Sequence, residues 1–293
     1  MTYAHFGVNP LSPFVGAEIT GLDLSRTLSA ELRADLNRAC ADFGVIVFRD
    51  QSLTPDQHIA LARQLGDIDI NRFFKPVDGH PEIAEVRKEP DQQANIGGLW
   101  HTDHSYDEVP AKGSLLYARE VPPLGGDTLF SSMHAAYESL SEGLKRTLEG
   151  LQAVHSSRHV FGYSSKALTE TDLKGRLLNP ELATQDALHP VVITHPETGR
   201  KALYVNPNFT VRIDGWTEAE SKPLLDYLYT QAVRPEFIAR LQWQPGTLAY
   251  WDNRATWHLA LNNYAGHRRI MHRITLGGVP LHGASGRSGQ GGL

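Results

Sequence analysis

Trp100-His101-Thr102-Asp103 is the point at which this chain changes character. From Trp100 onward the apolar residues fall into short runs with strand character, bounded by turn residues, at 114–117, 128–130, 191–194, 202–205, 238–243, 248–251 and 269–276. Two stretches with helical spacing interrupt them, 133–148 and 218–230, the second opened by a capping box from Thr217 to Glu220. Many short strands at modest spacing predict a sandwich or jelly roll, an architecture that can hold a metal between its two sheets.

Ahead of Trp100, strands alternate with well-punctuated helices. Leu32, Leu36, Cys40 and Phe43 recur every three or four positions behind Ser29, which is placed to cap a helix that Gly44 ends. Val45-Ile46-Val47-Phe48 reads as a buried strand. Thr54-Pro55-Asp56-Gln57 is a second capping box with proline at the first helical position, opening a helix through Leu61 and Leu65 that stops at Gly66. Asp42-Phe43-Gly44 matches a kinase triplet, but it closes an amphipathic helix and no glycine-rich phosphate loop precedes it. No repeat is evident and no linker precedes the final glycine- and serine-rich stretch. The expected organisation is one domain over residues 1–282 with a disordered tail over 283–293.

Composition narrows the function. A chain of 293 residues, 41% of them hydrophobic, can bury a substantial core. The net charge of -5, with 28 Lys and Arg scattered along the chain, supplies no basic stripe, so nucleic acid is not an expected partner. Cys40 is the only cysteine and cannot form an internal disulfide. The N-terminal residues lack the basic and apolar regions of a signal peptide, and no apolar run is long enough to cross a bilayer. The expected location is the cytoplasm, with no membrane partner.

His101 and Asp103 carry the chemistry. On or just after a strand, a period of two turns both to one face and Thr102 to the other, so both can reach one ion. A third ligand must come from elsewhere, and His258, which follows the strand-like segment 247–251, is placed to supply it. Two imidazoles and one carboxylate form the facial triad that leaves half of an Fe(II) coordination sphere open, and they equally suit a three-ligand catalytic zinc. The chain has 14 histidines, so a His two positions from an Asp arises easily by chance and context must decide. Arg269, Met271 and Arg273 share one face of the strand 269–276 and Ile270, His272 and Ile274 the other. The two guanidiniums then point the same way, about 13 Å apart. A buried Arg suits a carboxylate, since its planar fork makes two charge-assisted hydrogen bonds; on the surface the same pair would only form salt bridges.

Four motifs taken together, Trp100-His101-Thr102-Asp103, Gly125-Gly126-Asp127-Thr128-Leu129, Trp251-Asp252-Asn253-Arg254 leading to His258, and His267-Arg268-Arg269-Ile270-Met271-His272-Arg273, closely resemble the taurine dioxygenase family of Fe(II)- and 2-oxoglutarate-dependent oxygenases, which includes the aryloxyalkanoate dioxygenases. The resemblance runs from Phe14 to Val279. It implies a mainly β fold with flanking helices, a double-stranded β-helix or distorted jelly roll. It implies His101, Asp103 and His258 as iron ligands, and Arg269, eleven residues after His258, as partner of the distal carboxylate of 2-oxoglutarate, assisted by the Thr128 hydroxyl. Arg273 is similar to the family arginine that meets an anionic group of the substrate, and Phe161 and Phe209 match positions that wall the pocket. The implied reaction consumes O2 and 2-oxoglutarate, releases succinate and CO2, and hydroxylates the substrate; the family tends to form homodimers and tetramers.

The resemblance departs around the substrate. Where taurine enzymes place a His, a Tyr and an Asn, this chain has Asn71, Phe74 and Gly97. Losing those polar partners argues against taurine, because discrimination of a small polar substrate depends on paired groups. It favours an anion with an apolar or aromatic body, such as a sulfonate, an alkyl sulfate or an aryloxyalkanoate. Two competing readings are a zinc-dependent hydrolase, which gives Arg269 and Thr128 no shared role, and a non-catalytic metal-binding jelly roll.

Overall fold

The computed structural model describes residues 3–163, 165, 173 and 175–284. Its frame is a nine-stranded sheet that runs Gly7–Pro10, Ala17–Thr20, Val45–Phe48, Leu248–Asp252, Gly113–Glu120, Arg269–Leu276, His80–Lys88 and Pro76–Val77, with Ile68–Asp69 also pairing against Arg269–Leu276. The pairings are antiparallel except that of Ala17–Thr20 with Val45–Phe48. A smaller sheet, Ile238–Leu241, Thr128–Ser132 and Thr256–Ala260, packs against it. Many neighbours in both sheets lie far apart in the chain, as Val45–Phe48 beside Leu248–Asp252 and Thr128–Ser132 beside Thr256–Ala260, which is the arrangement of a jelly roll. No helix among the described residues is long and apolar enough to cross a membrane.

The period of two explains how the large sheet can be buried on both sides. Val45, Val47, Leu116, Ala118, Ala249, Trp251 and Met271 face the smaller sheet and meet its Phe130, Ala239 and Leu241. Their alternates, Ile46, Phe48, Leu115, Tyr117, Leu248, Tyr250, Ile274 and Leu276, face outward and are covered by the helices Ala30–Phe43 and Pro55–Leu65. That is why the runs read as unbroken apolar stretches instead of alternating ones. Both helices carry the expected caps: Ser29 Oγ accepts from Leu32 N, and Thr54 and Gln57 form a complete capping box. Gly44 ends the first helix at φ 74°, and an added Cβ would meet Thr256 Oγ1 at 2.6 Å, so glycine is required there on both counts. Its carbonyl accepts from Asp252 N at 2.8 Å and from Thr256 Oγ1 at 3.1 Å, which docks the helix end onto the turn that leads to His258.

Some boundaries differ from expectation. The helical stretch 133–148 is two helices, Met133–Glu138 and Glu142–Leu148, because Ser141 caps a new start with its side chain accepting from Leu144 N. Ile238–Leu241 stops short of Trp243, whose indole turns to a side-chain partner instead. The helix Glu218–Ala232 has its capping box at Thr217 and Glu220. The last described strand, His282–Gly283, pairs with Val192–Thr194, so Gly283 belongs to a sheet; residues 285–293 of the expected tail lie outside the described residues.

Candidate active site

His258 sits in the middle of Thr256–Ala260, and His101 joins that strand through two backbone hydrogen bonds. His101 N donates to His258 O at 3.1 Å, and His258 N donates to His101 O at 2.8 Å. The bridge sets the two rings 4.1 Å apart, centroid to centroid. Asp103, two residues on, turns to the same side, with Oδ1 3.6 Å from His101 Nε2 and 3.9 Å from His258 Nε2. Thr102 points the other way and donates its hydroxyl to the Asn253 carbonyl, pinning this segment to the turn before His258.

The protonation states suit a metal. His101 Nδ1 lies 2.7 Å from the Leu99 carbonyl, which can only accept, so the proton is on Nδ1 and the Nε2 lone pair faces the cluster. Burial, reinforced by the neighbouring His101, holds His258 well below the usual imidazole range and therefore neutral. Burial alone would raise the Asp103 carboxyl, but Arg273, His258 and His101 outweigh it and keep the group well below the usual carboxylate range. One carboxylate and two imidazoles, with a ligand atom of each within 4.8 Å of the others, fit a divalent ion. Ser114 Oγ donates to Asp103 Oδ2 at 3.1 Å, and Arg273 Nη1 donates to Oδ1 at 3.2 Å and Oδ2 at 3.1 Å.

The cluster opens onto a cavity of about 460 Å3 that Thr128, Arg269 and Arg273 also line. Arg269 is 4% exposed, and its Nε and Nη2 have no partner among the described residues. Burial lowers the pKa of this guanidinium, although from a starting value that leaves it charged at neutral pH. A buried cation without a counter-ion is costly, so this position is built for an anion. Trp243 supports it: the Arg269 guanidinium carbon lies 5.9 Å from the indole centroid, and Trp243 Nε1 donates to Thr128 Oγ1 at 2.9 Å. That bond occupies the oxygen as acceptor and leaves the Thr128 proton free to donate.

The walls are apolar. Phe209 meets His101 edge-on at 6.1 Å, Phe161 lies 6.0 Å from Phe209, and Phe74 lies 6.4 Å from Phe161 and 4.4 Å from the Arg273 guanidinium carbon. Gly97 also lines the cavity; at φ 78°, a Cβ there would stand 3.4 Å from His101 Cε1. Asn71, expected beside the substrate, does not line the cavity. Its Nδ2 is 3.1 Å from His104 Nε2 and its Oδ1 accepts from Phe73 N and Phe74 N, so the amide closes a local turn. Sequence reasoning missed Trp243, Ser114 and Tyr106. Tyr106, which lines the cavity three residues after Asp103, could have been found by following the motif; Trp243 and Ser114 belong to no pattern short of the folded site.

Fold and donor set together define a jelly-roll protein with a two-histidine, one-carboxylate metal site. The chain belongs to the family described as "Taurine catabolism dioxygenase TauD, TfdA family", whose profile matches residues 7–275. It is 35% identical to the "Alkylsulfatase" of Acinetobacter baylyi, over 94% of this chain and 86% of the relative. It is also 35% identical to the "(S)-phenoxypropionate/alpha-ketoglutarate-dioxygenase" of Sphingobium herbicidovorans, over 94% of this chain and 96% of that one. Among solved structures, a taurine dioxygenase from Burkholderia xenovorans superposes with a TM-score of 0.82 at 36% identity, covering 97% of this chain and 95% of the other. The structure of AAD-2 in complex with Mn(II) and N-oxalylglycine superposes at 0.76 with 29% identity, covering 95% and 98%. These relatives support the oxygenase reading over the zinc hydrolase and the non-catalytic jelly roll.

Proposed function

We propose that the protein is an Fe(II)- and 2-oxoglutarate-dependent dioxygenase that hydroxylates a small organic anion, with release of succinate and CO2. The observation that carries the reading is the buried, unpartnered Arg269 guanidinium in the same cavity as the His101, Asp103 and His258 cluster. A zinc hydrolase gives Arg269 and Thr128 no shared role; a dicarboxylate co-substrate does.

In this reading His101, Asp103 and His258 hold the iron. Arg269 receives the distal carboxylate of 2-oxoglutarate in a two-pronged, charge-assisted contact, and Thr128 adds a neutral donor whose direction Trp243 sets. Fixing that far end orients the reacting end. The bound metal would supply the activation of O2 and the oxidative decarboxylation that drives hydroxylation. Phe74, Phe161 and Phe209 exclude water and receive the substrate's apolar body. Arg273 presents a cation to the substrate's anionic group; one of its nitrogens engages Asp103, while its buried Nε has no partner among the described residues.

Gly97 and Phe74 leave room and remove polar partners, which supports an alkyl sulfate, sulfonate or aryloxyalkanoate over taurine. The names of the alkylsulfatase and phenoxypropionate relatives support this reading, and the neighbour named a taurine dioxygenase makes taurine the comparison that the test needs. If the hydroxylated carbon carries a sulfate, sulfonate or ether oxygen, the product collapses to a carbonyl compound and the released group. We expect a homodimer or tetramer, on the family resemblance, and a cytoplasmic enzyme, since buried Cys40 needs no oxidising compartment. The test is a panel of alkyl sulfates, sulfonates and aryloxy acids read by 2-oxoglutarate-dependent O2 uptake. At least one class should be consumed with stoichiometric succinate, and taurine should be poorer than it; taurine as the best substrate would overturn the substrate reading.

A further inference from the structure

We infer that Ser114 fixes how Asp103 holds the metal, through Oδ1 alone, and so keeps open the coordination position that O2 needs. The inference rests on the proposed iron site and concerns a residue with no role in it so far.

Ser114 lies on Gly113–Glu120 in the inward-facing row Ser114, Leu116, Ala118, whose other two members belong to the apolar layer between the sheets. It is 0% exposed. A hydroxyl in such a layer needs a partner, and its only side-chain hydrogen bond among the described residues is the one it donates to Asp103 Oδ2 at 3.1 Å. The local backbone has no need of it, because Ser114 pairs in register with Trp251 on one side and Thr275 on the other.

The contacts on Asp103 are asymmetric because of this bond. Oδ1 faces His101 Nε2 and His258 Nε2, at 3.6 Å and 3.9 Å. Oδ2 faces Ser114. Arg273 cannot distinguish the two oxygens, since Nη1 stands 3.2 Å from one and 3.1 Å from the other. Ser114 is therefore the contact that selects which oxygen turns to the cluster. The selection matters for coordination number. Three ligand atoms leave three positions of an octahedral ion, two for a chelating 2-oxo acid and one for O2. A carboxylate that rotated to bind through both oxygens would occupy the third. Ser114 is a positioning residue: it acts through Asp103 and touches neither metal nor substrate.

The test uses Mn(II)-loaded protein, which binds 2-oxoglutarate without turning it over, and compares wild type, Ser114→Ala and Ser114→Thr. Ser114→Ala should bind Mn(II) about tenfold more weakly or worse, the usual scale for losing a hydrogen bond to a metal ligand. Ser114→Thr, which keeps the hydroxyl, should recover most of that loss. Crystal structures of the Mn(II) forms should show Asp103 bound through one oxygen in wild type and through both in Ser114→Ala. Mn(II) affinity within twofold of wild type in Ser114→Ala overturns the inference. So does one-oxygen binding in its crystal structure, or a Ser114→Thr variant as weak as Ser114→Ala, which would place the effect in packing. If wild-type protein binds Mn(II) but not 2-oxoglutarate, the functional reading fails, while the crystal structures still decide the role of Ser114.

Discussion

Replacing Arg269 with methionine should make the metal-free, co-substrate-free protein more stable while removing its grip on 2-oxoglutarate. The two effects share one cause. Arg269 is 4% exposed, with Nε and Nη2 unpartnered among the described residues, and Asp127 acts on its charge only from beyond ion-pair distance, so the protein alone leaves a buried charge poorly compensated. Methionine fills a similar channel without charge. Exchanging buried ionic groups for apolar ones of similar volume gains about 1–4 kcal/mol, and loss of the contact with Trp243 returns about 1 kcal/mol of that. The net gain of about 1–3 kcal/mol should raise the melting temperature by a few degrees, at about 2–4 °C per kcal/mol or slightly less for a chain of this size. The opposite sign appears in binding. Two hydrogen bonds to a charged group are worth about 1.5–3 kcal/mol each, so losing both should weaken 2-oxoglutarate about 10²- to 10⁴-fold. Thermal unfolding of the metal-free protein, and of the Mn(II)-loaded protein with and without 2-oxoglutarate, reads both limbs: the variant should melt higher than wild type when metal-free and gain nothing from the co-substrate when loaded. A variant that melts lower and still gains as much as wild type would refute the assignment of Arg269.

Other substitutions and conditions probe the remaining parts of the site and fold. Thr128→Val removes one neutral donor and leaves Trp243 Nε1 unpaired; the apparent KM for 2-oxoglutarate should rise about tenfold with stability reduced by about 1–3 kcal/mol, and an unchanged KM would remove Thr128 from co-substrate binding. Gly97→Asn should cost bulky anions about tenfold in kcat/KM and spare small ones, since asparagine tolerates the positive φ but fills the space beside His101; equal losses across substrate sizes would contradict it. Acid should destabilise the fold. Burial pushes His58 down to about 3 and His134 and His189 down to about 4. The unfolded chain protonates these groups near pH 6.5 whereas the fold holds them neutral, so their contribution is complete above about pH 6.5 and lost as pH falls towards 4, at about 1.4 kcal/mol per pH unit for each. Urea denaturation at pH 7 and pH 5 should show this drop, and equal midpoints with equal slopes would rule it out.

Much of the fold was legible because local rules and tertiary packing agree. Ser29, Thr54 and Thr217 sit where their side chains close caps, and Val45–Phe48 and Arg269–Leu276 have the bounds that their apolar runs predict. Thr256–Ala260, which carries His258, was not read as a strand. Its five residues follow Asp252-Asn253-Arg254, a turn-like run whose carboxylate and guanidinium pair with each other in the interior. His80–Lys88 was missed for a similar reason, since Glu82, Glu85 and Arg87 break its apolar pattern along a strand near the sheet edge. At the site, residue type and order pointed to the metal cluster, and the unpaired state of Arg269 is visible only once the fold is known. Asn71 shows the limit: counting along the chain placed it at the substrate, whereas its amide bonds to His104 and to two backbone amides.

The central claim is that one cavity joins a three-ligand iron site to a carboxylate-binding arginine. Its most direct test is anaerobic titration of the Fe(II)-loaded protein with 2-oxoglutarate, followed in the visible region. A weak charge-transfer band should grow to saturation at one equivalent per site, fail to form in His101→Ala, and require far more 2-oxoglutarate in Arg269→Met. Correctly loaded wild-type protein that develops no band, or a band in Arg269→Met that saturates as readily as in wild type, would contradict the account.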